Sequence, residues 1–203
     1  MKLYTLQQTI EAELYQACIK YIELIQQDLA GEKIYGFNVY SYGFEQGVYV
    51  AVATLESLER KQKVAAEQAF QIPKAYLEIC ADEWEYIGLH SEVFFSLSEY
   101  LIALYDVLYE GCEFDDETDF QAAEAHITKA IPEAIIQTLI KLKQDGVFNT
   151  ALFEKDLFLG YQVADAADND QVAGYVQASA RLNSPYWHDK LLGYQQYCLA
   201  QNS

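Results

Sequence analysis

Residues 34–54 read IYGFNVYSYGFEQGVYVAVAT, and this stretch decides the fold. Two runs within it, 34–42 and 48–54, are rich in Tyr, Phe and Val, which suit the pleated surface of a β-strand. Gly43 and Gly47 bracket the connection between the two runs. We therefore expect a β-hairpin with a longer loop at the centre of the fold.

Apolar residues recur at helical spacing on both sides of this hairpin. They predict helices over about 6–29, 55–70, 91–110 and 118–143 and from Ser184 onward, with a kink or a division at Pro132. A further strand is predicted over 157–165, because its apolar side chains alternate. The sequence therefore predicts a single α+β domain over residues 1–203, in which a small, mostly antiparallel sheet (hairpin 34–54 plus strand 157–165) packs against several helices.

Two segments have no clear periodicity. Tyr76–Cys80 is a candidate third strand, and Asp82–Tyr86 is a candidate loop that packs its aromatic side chains inward. Asp165–Asp170 is predicted to be a polar loop, and the secondary structure from there to Asn183 stays open at this point.

The charge balance excludes several classes of partner. The 203 residues contain 13 Lys and Arg against 31 Asp and Glu, a net charge of −18. Nucleic acids and anionic membrane surfaces are therefore not expected partners, since both bind Lys and Arg clusters. No apolar run is long enough to span a membrane, and none follows Lys2 as a secretory signal would. We expect a cytoplasmic protein whose cysteines are reduced.

Motifs for catalysis or metal binding are missing from the sequence. It contains no G-x-S-x-G, no glycine-rich phosphate loop and no H-E-x-x-H, and the three histidines are far apart. The four cysteines are also widely spaced, which favours buried thiols over a zinc site. In the acidic run 115–119, Phe120 and His126 stand where a calcium loop needs Gly and Glu. No catalytic residue, metal ligand or cofactor is therefore predicted.

The most informative feature is a window without cations. Between Ala75 and Thr128 there are 14 Asp and Glu residues and no Lys or Arg. Four of the acids are 7, 7 and 4 residues apart, spacings that return to nearly the same side of a helix: Glu92, Glu99, Asp106 and Glu110. We expect a helix that buries leucines and presents a row of carboxylates to solvent. Such a face either keeps the protein soluble or receives a basic protein.

Aromatic side chains within the same window could supply affinity to such a contact surface. Trp84 and Tyr86 are the candidates, with packing in the core as the alternative role for Trp84. The predicted partner-binding residues are Trp84, Tyr86, Glu92, Glu99, Asp106, Glu110, Glu113, Asp115, Asp116, Glu117 and Asp119.

Four segments carry a resemblance to a known family: Ile34–Tyr40, Asp82–Tyr86, Phe158–Asp165 and Ser179–Pro185. In this order they resemble a bacterial family of uncharacterised domains of similar length, known only as a domain of unknown function. The family pattern has Leu-Asn-Pro near its end, where this chain inserts Ser184. The resemblance implies no activity and no catalytic residues. By analogy of class alone, small acidic cytoplasmic domains of this look are often immunity proteins beside secreted toxins.

The expected function is a non-enzymatic, acidic protein-binding domain, in its specific form an immunity-type inhibitor of a basic bacterial toxin such as a nuclease. One alternative is a hydrolase-like enzyme, which requires a cleft holding several acids with raised pKa values. Another is a housekeeping domain whose acidity serves only solubility. The oligomeric state is left open.

Overall fold

A computed structural model of the protein describes residues 3–67, 73–109, 117–164 and 169–201. The helices are α1 (Leu3–Asp28), α2 (Leu55–Glu67), α3 (Lys74–Ile79), α4 (Phe95–Tyr109), α5 (Glu117–Gln144), α6 (Asn169–Leu182) and α7 (Pro185–Gln201). The strands are β1 (Ile34–Ser41), β2 (Tyr49–Thr54), β3 (Tyr86–Ile87) and β4 (Phe153–Val163). Short 3₁₀ turns lie at Phe44–Gln46, Ala81–Glu83 and Ser91–Phe94.

The four strands form one sheet in the order β3-β2-β1-β4. β2 pairs antiparallel with both β1 and β3, whereas β4 pairs parallel with β1. The predicted α+β class, with a small and mostly antiparallel sheet, is confirmed. Every residue of β1 is buried, which explains why its sequence does not alternate between apolar and polar residues.

Helices cover both faces of the sheet. On one face, Tyr21 of α1 lies edge-on to Phe37 of β1, with 6.0 Å between ring centroids, and packs at 5.6 Å against Phe94 just before α4. On the other face, Trp187 of α7 stacks on Tyr35 at 5.7 Å. The central strands are therefore enclosed, and surfaces for binding are left at the outer faces of the helices and at the ends of the sheet.

Trp84 packs on the second face and is only 4% exposed. Its ring contacts Phe158 of β4 at 6.2 Å between centroids, and it covers Gly36, where a Cβ atom would lie 2.6 Å from the tip of the indole. The prediction that Trp84 contacts a partner is therefore wrong. Its side chain is buried in the core and offers a partner no accessible surface.

The structure also decides several local features. Tyr76–Cys80 is not a strand: α3 covers most of it, with Tyr76 packed at 5.6 Å against Tyr194 of α7. The third strand is β3, a two-residue pairing with Ala51 and Val52 that is too short to leave a pattern in the sequence. α5 continues through Pro132 as one helix. Packing of α5 along α1 offsets the hydrogen bond that proline removes.

The close contact between Gly36 and Trp84 yields a stability prediction. Gly36→Ala should destabilise the fold by about 2 kcal/mol, because the new methyl group overlaps a buried ring that has no room to move. Gly193→Ala is the matched control: this exposed position within α7 has nothing within 4 Å of the added carbon, so alanine should stabilise the helix by about 0.5–1 kcal/mol. Urea unfolding of both variants measures the difference, and equal stabilities would contradict this account of the contact.

Candidate functional site

The outer side of α4 carries the accessible part of the predicted acidic face. Glu99 and Asp106 are exposed on α4, and Glu92 is exposed on the 3₁₀ turn that leads into it. We call these three residues the acidic stripe. Within the described part of the chain, Glu99 and Asp106 have no ion-pair partner, while Glu92 lies 3.4 Å from the His90 ring. Two of the three carboxylates are therefore available without breaking an internal pair.

Apolar side chains lie between these carboxylates. Phe95 is 63% exposed, Ile102 37% and Val107 58%, whereas the opposite side of α4 is buried in the core through Leu97, Leu101, Tyr105 and Leu108. A helical face that serves only solubility needs no large apolar residues. Exposed apolar groups ringed by charges are typical of a contact surface.

Several predicted residues are not part of this description. Glu110, Glu113, Asp115 and Asp116 lie outside the described residues. Glu117 and Asp119 belong to the first turn of α5, but the positions of their side chains are not described. Their assignment to the partner-binding face stays a prediction.

Tyr86 is half-buried at the β3 edge of the sheet. Its hydroxyl donates to Glu32 Oε1 at 3.0 Å and accepts from Arg60 at 3.0 Å. Arg60 also binds both carboxylate oxygens of Glu85, each at 3.0 Å. Because these internal bonds occupy its hydroxyl, we leave Tyr86 out of the candidate site.

The same network acts on the charge of Glu32. Burial by itself raises the pKa of Glu32, but hydrogen bonds from Thr54, Tyr86 and Arg60 outweigh it, and the net pKa is lowered. Glu32 is therefore a structural anion that holds the β3 edge to the end of β2 and the start of α2.

A cleft of about 430 Å³ opens on the flank of α4. It lies where the parallel strands β1 and β4 end, the edge at which open sheets with helices on both faces commonly bind ligands. Its lining includes one carboxylate, a helix glycine and three tyrosines: Glu45, Gly174, Tyr105, Tyr161 and Tyr175. We call these five residues the tyrosine cleft.

Close packing holds the tyrosines in place. The rings of Tyr161 and Tyr175 meet at right angles, 5.2 Å apart, and the Tyr175 hydroxyl accepts the Val163 N–H at 2.9 Å. At Gly174, a Cβ atom would come within 2.9 Å of the Tyr161 hydroxyl oxygen. Glycine in α6 therefore leaves room for that hydroxyl at the wall of the cleft.

The cleft tyrosines are protonated at neutral pH. Burial, assisted by the charges of Glu45 and Glu124, raises the pKa of Tyr105 to about 12. Burial alone raises the pKa of Tyr161 to about 12. Groups this far from neutrality are poor proton-transfer catalysts, so the arrangement is suited to binding through rings and hydroxyls.

Sequence reasoning missed this cleft because its residues come from four separate parts of the chain. One local signal was present: Gly174 stands inside a helix, where glycine costs about 1 kcal/mol relative to alanine. Such a glycine often marks close packing against a neighbouring side chain, which here is Tyr161.

The described residues form neither a cluster of metal ligands nor a membrane-spanning helix. Across the described ranges, no three His, Cys, Asp or Glu side chains come together in a way that could hold a metal ion. None of the described helices has both the length and the apolar character needed to cross a membrane. Cys18 and Cys80 are buried free thiols, and burial raises the pKa of each, to about 12 for Cys80.

His90 links the start of the acidic stripe to the end of α1 and generates a pH prediction. A hydrogen bond to Asp28 raises the pKa of His90, burial lowers it, and Glu92 raises it further; the net pKa is raised. The folded state therefore binds the proton more tightly than the unfolded state does. The resulting stability is fully present below the unfolded pKa of about 6.5 and is lost as the pH rises through the folded value.

Replacing the ring by a group that does not titrate tests this linkage. His90 has φ +52°, a conformation that asparagine tolerates, so His90→Asn removes the charge without straining the turn. We expect the wild type to melt about 2 °C above the variant at pH 6 and the gap to narrow at pH 9. A gap that stays constant across this pH range would refute the linkage.

The chain matches the model of a protein family. The model of a family described as a domain of unknown function, DUF4303, matches residues 14–184. Searches among curated proteins and among solved structures found no match.

Proposed function

The chain belongs to this family of unknown function, and on that premise we propose that it is a non-enzymatic domain that binds a basic protein through the acidic stripe. One observation carries the proposal: exposed carboxylates without an internal cation alternate with exposed apolar side chains on the outer face of α4. The carboxylates would attract and orient the partner, and the apolar groups would supply affinity once water is excluded.

Charge distribution supports this proposal. The acidic stripe lies in the window between Ala75 and Thr128, which holds 14 acids and no Lys or Arg. A field of one sign raises the association rate of an oppositely charged protein and repels acidic ones. It also costs stability through self-repulsion, a cost that a binding role would explain.

In its specific form, the proposal is an immunity-type inhibitor in the bacterial cytoplasm. A toxin that cleaves nucleic acid must hold phosphates with Lys and Arg. Carboxylates arranged along a helix can pair with those cations and cover the toxin's substrate-binding surface. Inhibition would then be steric and electrostatic and would require no chemistry from the inhibitor.

The enzyme alternative requires several carboxyl groups with raised pKa values in one cleft. Among the described lining residues, the tyrosine cleft has a single carboxylate, Glu45. Hydrogen bonds from Arg181 and from Lys141 lower the pKa values of Glu133 and Asp145, respectively. The chemistry of these groups favours the binding domain over a carboxylate-based hydrolase.

Two matched triple variants test the proposed site. The first, Glu92→Gln/Glu99→Gln/Asp106→Asn, removes the acidic stripe. The second, Glu13→Gln/Glu23→Gln/Glu59→Gln, removes three exposed acids elsewhere and changes the net charge by the same amount. Each protein serves as bait in an extract of the encoding organism at about 50 mM salt, where screening is weak. The captured basic protein is then purified, and its Kd is measured for all three baits.

Loss of the acidic stripe should weaken the complex roughly 10- to 100-fold, since each of three partner ion pairs contributes about 0.5–1 kcal/mol. The control variant should bind as the wild type does. Equal weakening by both variants would mean that net charge alone is sensed. If no basic protein depends on the acidic stripe, the proposed function is wrong.

A further inference from the structure

The tyrosine cleft is within reach of anything that lies on the acidic stripe. Tyr105 of the cleft directly precedes Asp106 of the stripe on α4, and consecutive helical residues are separated by 100° around the axis. Ile102, which is exposed, lies between these two directions. A partner seated on the stripe would therefore extend over the mouth of the cleft.

The interior of the cleft is arranged for a cation. Glu45 supplies a carboxylate, and among the described lining residues there is no Lys or Arg to neutralise it. Tyr105 and Tyr161 add aromatic rings, whose negative faces attract cations. The negative potential reaches Tyr105, because the charges of Glu45 and Glu124 contribute to its raised pKa.

Two hydroxyl groups of the cleft make no hydrogen bond within the described part of the chain. The rings of Tyr105 and Tyr161 are each only 8% exposed, yet no hydrogen bond links either hydroxyl to another described residue. Each hydroxyl oxygen can accept a hydrogen bond from a donor that enters the cleft. The Tyr161 hydroxyl packs against Gly174, where an added Cβ atom would come within 2.9 Å of it.

We propose that the tyrosine cleft binds a guanidinium group, presented by an arginine side chain of the basic partner. The inference rests on the proposed function for the source of that side chain. A guanidinium is planar, stacks on aromatic rings and has five N–H donors in a fixed fork. It can pair with Glu45 and reach the hydroxyls of Tyr105 and Tyr161, whereas an ammonium group has only three donors and does not stack. The volume of about 430 Å³ falls within the range of ligand pockets.

The first test uses a small probe and does not need the partner. N-acetyl-arginine methylamide is titrated into the protein while the tyrosine ring signals are followed by NMR; variants Tyr105→Phe and Tyr161→Phe assign the two signals. N-acetyl-citrulline methylamide is the matched control probe, because its urea group has the same shape and no charge. We expect the arginine probe to change the chemical shifts of both tyrosine rings in a saturable way, with a Kd of roughly 1 mM. The citrulline probe should leave these chemical shifts unchanged.

Variants then locate the charge that binds the probe. Glu45→Gln should weaken the arginine probe about fivefold to tenfold, as expected for loss of one charge-assisted hydrogen bond. Glu59→Gln, an exposed acid on α2, is the control and should leave the Kd unchanged. Three results would each overturn the inference. The arginine and citrulline probes could shift the tyrosine signals equally, the two variants could change the Kd of the arginine probe equally, or binding could remain unsaturated at about 100 mM probe.

A second arm identifies where the guanidinium comes from. If the partner supplies it, Glu45→Gln should also weaken the captured basic protein about fivefold to tenfold. If the probe binds but the partner's Kd does not change, the cleft serves a free small molecule and the inference as stated fails. The acidic-stripe variant could lose partner binding while the wild type fails to bind the arginine probe. The proposed function would then stand, and only the inference about the tyrosine cleft would be overturned.

Discussion

β1 lies between an antiparallel neighbour, β2, and a parallel neighbour, β4, and all eight of its residues are buried. A parallel neighbour cannot be reached through a tight turn, so a long connection has to join the end of β1 to the start of β4. This connection contains the helices α2, α3, α4 and α5. The parallel pairing also explains why β1 and β4 end at the same edge of the sheet, where the tyrosine cleft lies.

The distribution of charge follows from the same arrangement. The arginines are used in internal pairs: Arg60 with Glu32 and Glu85, and Arg181 with Glu133. Lys190 binds the largely buried Glu78. With only 13 cations for 31 acids, the helix in the cation-free window keeps its carboxylates unpaired within the described residues. Exposed ion pairs contribute little to stability, so the cost of these acids comes from their mutual repulsion and not from the missing pairs.

The acidic stripe and the tyrosine cleft are two parts of one surface with different physical properties. The stripe lies on the outer face of a helix, where apolar side chains are exposed between its carboxylates. Such a face suits long-range attraction and contact with a broad surface of a partner. The cleft is concave and aromatic, which suits one anchored side chain. A surface that combines both can recognise a partner by its overall charge and then by a single group.

Local pattern was enough to predict much of this protein. Runs of Tyr, Phe and Val predicted β1 and β2, and an alternation of apolar side chains predicted most of β4. The seven-residue spacing of Glu99 and Asp106 predicted their common exposed face, because helix periodicity records which side of an element is apolar. Tertiary contacts decided the rest. β3 exists only through pairing with β2, and Trp84 is buried only because Gly36 makes room beneath its ring. The tyrosine cleft joins Glu45, Tyr105 and Tyr161 across more than 100 positions of the chain, and no local pattern records which distant residues become neighbours.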